Sequence, residues 1–322
     1  MAQNQFIYAV ARIRSKELSL LSGAFVEQLL SAKGYEECLQ LLQEKGWGDG
    51  ETRDAAGILA VEREKTWQLM GELTDDLSVF DVFLYANDYH NLKAAIKEAR
   101  MDSEFPGIYM GQGTVDVKLI REAVRTREFN NLPEAMAGPA REAYEALIQT
   151  GDGQLCDIIV DRAALAAIYR AGKASGDECL KLYGELTVAS ADIKTAVRAA
   201  RTGKNKAFLE RALAHCDTLD VDRLAQAAVE GVDAIGTYLE LTPYAEAVEE
   251  LHKSPSAFER WCDNLLIRRI RPQRFNSFGI GPLAAYILAR ENEIKTVRII
   301  LSGKLNQLPE ESIRERVREM YV

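Results

Sequence analysis

Residues 81–100, DVFLYANDYHNLKAAIKEAR, decide how this chain is read, because two relatives of the stretch follow at a fixed distance. Asn91-Leu92-Lys93 aligns with Asp192-Ile193-Lys194 and with Glu293-Ile294-Lys295, so the lysines are evenly spaced, 194 − 93 and 295 − 194 both being 101. Tyr85, Tyr89, Leu92, Ile96 and Ala99 fall at steps of four, three, four and three, which makes one apolar stripe along a helix. The same register in the second copy gives Leu186, Ser190, Ile193, Val197 and Ala200. The third copy keeps Ile287 and Ile294 but sets Glu291 and Arg298 on the stripe, so Val297 and Leu301 are expected to complete its end.

A repeat of about a hundred residues exceeds the roughly 20 to 50 of ordinary solenoid units, so each copy reads as a small helical bundle. Three look-alike bundles imply an all-α protein of three similar units around a pseudo-threefold axis. The densest run of breakers, Pro106, Gly107, Gly111 and Gly113, places the first boundary, and residues 202–206 close the second unit. The expected units are 1–105, 106–204 and 205–322.

Composition supports helix and narrows function. Hydrophobic residues make up 47% and charged ones 28%, ordinary values for a globular protein, with only eight prolines in 322 residues. Long period-two runs of Val, Ile and Thr are absent, so almost no sheet is expected. A net charge of −9 argues against nucleic acid as the main partner, which requires a broad basic face. Five cysteines, odd in number and far apart, read as reduced thiols of a cytoplasmic protein. The N-terminus lacks an apolar core of signal-peptide type, and the longest apolar run, residues 283–289, is far short of the roughly twenty residues of a membrane span.

Along the chain, helices are expected over 35–45, 51–73, 115–127, 139–171 with a break at Gly151 and Gly153, 177–201, 221–229, 232–241, 244–271 and 282–301. Pro309-Glu310-Glu311 opens a last helix, with proline in its first turn and acids at its positive end.

Catalytic patterns are missing. His90, His215 and His252 form no metal-ligand spacing, and His90, beside Asp88 and Asn91, reads as a surface or cap-bonded side chain before it reads as a base. Gly303-Lys304 lacks both the upstream glycine and the following Ser or Thr of a phosphate loop. Gly111-Gln112-Gly113 and Gly279-Ile280-Gly281 are simple turns rather than dinucleotide sites. No cofactor or metal is implied. Two features remain for partners. Arg268, Arg269, Arg271 and Arg274 surround a helix end at Pro272, where they serve either as caps and internal ion pairs or as a surface for an acidic partner. Lys93, Lys194 and Lys295 read as interhelical ion-pair partners.

Tyr8-Ala9-Val10-Ala11-Arg12-Ile13-Arg14, residues 87–93, residues 191–198 and the tail from Gly279 to Lys304 together resemble the C subunit of the archaeal and bacterial V-type (A/V-type) ATPases, the counterpart of the eukaryotic d subunit. The resemblance covers essentially the whole chain and rests on the order and spacing of these stretches. It implies a funnel of three bundles seated on the cytoplasmic end of the membrane proteolipid ring. Its open end would receive the shaft made by the D and F subunits. It further implies a peripheral rotor part without an active site, linking ATP hydrolysis or synthesis to proton or sodium transport. Two other readings fit the same residues. One is a helical interaction scaffold unrelated to a rotary machine; the other is an all-helical enzyme using converging carboxylates.

Overall fold

A computed structural model of the chain describes residues 6–101, 105 and 107–322. Sixteen α-helices follow one another among these residues, with no strand: α1 Ile7–Glu17, α2 Gly23–Ser31, α3 Tyr35–Glu44, α4 Ala55–Leu73, α5 Tyr85–Met101, α6 Val117–Thr126, α7 Glu134–Thr150, α8 Gly153–Ala174, α9 Glu178–Arg201, α10 Lys206–Ala212, α11 Val221–Glu230, α12 Val232–Leu239, α13 Ala247–Lys253, α14 Pro255–Ile270, α15 Gly281–Leu305 and α16 Glu310–Arg314. Pro106, one of the breakers expected at the first boundary, lies outside the described residues.

Helix starts follow the side chains that satisfy their orphan amides. Asp54 accepts from the Gly57 N–H at 2.9 Å, Asp152 from Gln154 and Leu155 at 2.9 and 3.0 Å, and Asp220 from Arg223 at 3.0 Å. The single helix expected over 244–271 is in fact two. Ser254 caps the second at the Ala257 N–H, 3.0 Å away, and Pro255 sits in its first turn, where a missing N–H costs nothing. Pro309, expected inside the last helix, is instead the residue that precedes it.

The chain divides into two compact units. The first gathers both ends of the sequence, residues 1–77, 177–179 and 249–322. Its core takes Leu29 and Leu30 from α2, Leu42 from α3, Ile58 from α4, and Val297, Ile300 and Leu301 from α15. Val297 and Leu301 thus do complete the drifted stripe of the third copy. Helix α15 has neighbours on several sides, α1, α3, α4, α14 and α16, and is accordingly buried around most of its circumference.

The second unit, residues 78–176 and 180–248, is built on α5 packed against α6, α7 and α8. Tyr89, Leu92 and Ile96 of the founding stripe are buried there with Ile120, Phe129, Met136 and Val160. Ala99, expected on the stripe, is exposed; Glu98 turns inward in its place, accepting the Phe105 N–H at 2.8 Å and the Tyr109 hydroxyl, with Arg121 at 3.3 Å. Helices α8 and α9 meet through glycines: a Cβ on Gly172 would stand 2.7 Å from the Leu180 carbonyl, and one on Gly184 3.1 Å from that of Ile168.

Candidate functional site

The aligned positions Asn91, Asp192 and Glu293 are all buried, and each holds the backbone of a loop. Asn91 donates to the Met110 carbonyl at 3.0 Å and accepts from the Met110 N–H at 2.8 Å. Both carboxylate oxygens of Asp192 accept from the Ala214 N–H, at 3.1 and 3.2 Å. Glu293 accepts from the Leu21 N–H. Burial pushes the Asp192 carboxyl up to about 7, because one amide and the more distant Arg162 only partly replace lost water. Sequence reading aligned these three residues without recognising their shared role. The signal that could have found it was a polar residue kept on the inner side of three otherwise apolar helices.

Glu293 belongs to a wider buried set. The Arg290 guanidinium lies between Glu62 of α4 and Glu293, 2.6 Å from the latter, with Thr66 at 3.4 Å and the Trp47 ring 5.2 Å beneath it. The other Glu62 oxygen accepts from the Gly48 N–H at 2.8 Å and from Lys65 at 2.7 Å. Burial works against the Arg290 charge, but Glu293, Tyr286 and Glu62 hold its pKa above the usual arginine value. Their bonds tie α4, α15 and two turns together.

The four arginines around Pro272 divide by environment. Arg271, partly exposed, donates to the Met320 carbonyl at 2.7 Å and to Glu319 at 3.4 Å. Arg268 donates to the Asn264 carbonyl at 3.3 Å and lies 3.9 Å from Glu319. Arg274 rests 6.0 Å from the Tyr321 ring, and Arg269 is exposed. The turn that carries Arg271 and Arg274, Arg271–Phe275, is pinned by Arg14 of α1, which donates to the carbonyls of Gln273 and of Asn276 just past it, at 2.6 Å each. Beside it Phe275 is 87% exposed and Phe278 51%. No Asp or Glu occurs between Asp263 and Glu291. A pinned turn presenting arginines and two bare aromatic rings can bury apolar area and pair with acids at once.

Lys93 pairs with Asp161 at 2.7 Å, and Lys295 with Glu259 and Asp263 at 2.8 and 2.6 Å, all between helices. Lys194 meets no carboxylate among the described residues. His90 binds the Ile108 carbonyl through Nε2 at 2.8 Å. Lys304 donates to the carbonyls of Leu30 and Ala32 at the end of α2, 2.5 and 2.6 Å away, so the Gly-Lys pair holds a helix terminus. The flanking Gly303 has no room for a side chain, since a Cβ there would stand 2.5 Å from Ile313.

The family model described as ATP synthase (C/AC39) subunit matches residues 9–316. This chain belongs to that family. The C/AC39 chain is 24% identical to the C subunit of the V-type sodium ATPase of Enterococcus hirae, over 96% of its own length and 97% of the relative's. It is also 24% identical to the C subunit of the V-type ATP synthase of Thermus thermophilus, across 98% of both chains. The C subunit of the A-type ATP synthase of Methanocaldococcus jannaschii matches at 24%, covering 96% of this C/AC39 chain and 85% of the relative. Among the described residues, no helix of the C/AC39 chain is long and apolar enough to cross a membrane.

Proposed function

We propose that the chain is the central-stalk rotor subunit of a V-type ATPase or ATP synthase. It couples a D–F shaft to the membrane proteolipid ring, so that ATP hydrolysis or synthesis is linked to proton or sodium transport. The observation that carries this reading is the family match from residue 9 to residue 316, joined by relatives aligned over nearly their whole lengths. The role is mechanical and non-catalytic, and the protein is peripheral, held at the cytoplasmic face through its partners.

Three similar units, 1–105, 106–204 and 205–322, arranged as a funnel around a pseudo-threefold axis, suit this role. Recurrence of the long helices supports them: α4, α8 and α14 are each followed by a long copy of the founding stretch, and these copies end at Met101, Arg201 and Leu305, about a hundred residues apart. The register also carries a backbone clasp in each copy: Asn91 and Asp192 reach forward along the chain, to Met110 and Ala214, and Glu293 reaches back to Leu21.

An ion crossing a membrane releases about 2.3 kcal/mol per 100 mV, and a connector must transmit it without yielding. Close-packed helices of low compressibility meet that demand. Removing the chain is expected to leave ATP hydrolysis by the catalytic head in place while abolishing ion movement. Paired measurements of phosphate release and ion uptake in membranes from a deletion strain check this, and coupled transport surviving the deletion overturns the rotor reading.

The surface around Arg268, Arg269, Arg271 and Arg274 is proposed as one partner contact, with Arg269 and Arg274 facing outward. Arg269→Glu combined with Arg274→Glu is expected to weaken co-purification of the chain with its complex about tenfold at 0.1 M salt, with little effect on folding. Unchanged recovery over a salt series would remove this surface from the interface.

A further inference from the structure

Lys93 and Lys97 lie one turn apart on α5 and face Asp161 and Asp157, one turn apart on α8, at 2.7 and 2.6 Å. In the third copy Glu259 and Asp263, again one turn apart on α14, face Lys295 at 2.8 and 2.6 Å, and Arg318 joins them at 3.7 and 2.8 Å. The molecule thus twice shows how its copies neutralise cations at this register: with a helix offering two carboxylates at i and i+4.

The middle copy carries the same cationic pair, Lys194 and Arg198 on α9, and neither meets a carboxylate among the described residues. Like charges four residues apart on a helix repel, and the acids that share their groove, Asp157 and Asp161, are engaged by Lys97 and Lys93 at 2.6 and 2.7 Å. Both line a groove of about 670 Å³ within the second unit, between α5, α8, α9 and α10. Its floor includes the half-buried Ile158 and Leu165, and Lys204, held by Gln154 at 2.6 Å, adds a third cation at the rim.

We propose that this groove docks a helix of a partner protein. The partner helix presents two carboxylates one turn apart to Lys194 and Arg198, and an apolar stripe to Ile158 and Leu165, in the helix-in-groove mode. Two features single out a helix over a small anion: the cations follow helical spacing, and helices supply the paired carboxylates in the other two copies, α8 to Lys93 and Lys97 and α14 to Lys295. The inference rests on the chain working as one part of a larger assembly.

The test uses the assembled complex, with a photo-crosslinking amino acid in place of the exposed Thr202, which lines the same groove. The expected product is a peptide from another protein of the complex with two acids four residues apart. Lys194→Glu with Arg198→Glu in the same background is expected to lower its yield about tenfold, with an unchanged thermal melt of the isolated chain. A crosslinked peptide without such a pair, a lipid adduct, or no adduct from a complex that still contains the chain overturns the docking site and leaves the rotor reading standing. So does protection of the groove by inorganic pyrophosphate with no partner peptide captured. If the chain enters no complex at all, the proposed function fails and the docking helix fails with it.

Discussion

Arg290→Met is expected to destabilise the protein by about 3 to 5 kcal/mol, the usual result of removing one member of a buried ion network and leaving its partners charged. Arg290 stands between two carboxylates whose side chains are 5% and 3% exposed, so neither Glu62 nor Glu293 can recover its hydration when the guanidinium is gone. The loss reaches beyond the charges. Glu62 also holds the Gly48 turn and Glu293 the Leu21 turn, so their disturbance loosens contacts between the first and last parts of the sequence. Urea unfolding of the purified chain measures the effect. Replacing all three, Arg290→Met with Glu62→Gln and Glu293→Gln, should recover much of the loss, because the cost lies in unpaired charge more than in missing attraction. A single variant within about 1 kcal/mol of the parent would show that the network does not hold this core.

The second large effect is one of pH. The Asp192 carboxyl is raised from 3.8 to about 7 in the folded protein, chiefly by burial. A raised carboxyl binds its proton more tightly folded than unfolded. Its stabilising contribution is therefore complete below about pH 4 and is lost as pH climbs through about 7. Three pKa units correspond to at most about 4 kcal/mol. Asn91 occupies the same register in the first copy and makes both bonds to Met110, so an amide suits the clasp. Asp192→Asn should accordingly flatten the fall in stability between pH 4 and 8 and leave the variant more stable at pH 8, by about 2 kcal/mol. Unfolding curves across that range decide it; a variant with the parent's pH slope would mean that another group titrates.

The repeat helices were legible because their signal is local: Tyr89, Leu92 and Ile96 show their stripe in a window of a few turns, and helix periodicity needs nothing from distant residues. The break before Pro255 was equally local and was missed because the apolar pattern continues through it. Ala99 and Glu98 exchanged places for a different reason. The last turn of α5 faces Phe105 and Tyr109, whose amide and hydroxyl fix the carboxylate, and a stripe drawn along one helix cannot see residues that lie beyond its end.

The lysines show the same division. All three sit at one register, and sequence assigned all three the same ion-pairing role; only the packing revealed that Lys93 and Lys295 have acids opposite them and that Lys194 does not. Sequence by itself determined that the chain is helical, that a segment recurs every 101 residues, and which family its order and spacing resemble. Tertiary structure decided which polar residues go inside, which arginines turn outward, and where a pair of cations is left unanswered. The reason is physical: helix formation is governed by neighbours within a few residues, whereas burial and charge pairing depend on groups brought together from hundreds of residues away, as Arg290 and Glu62 are.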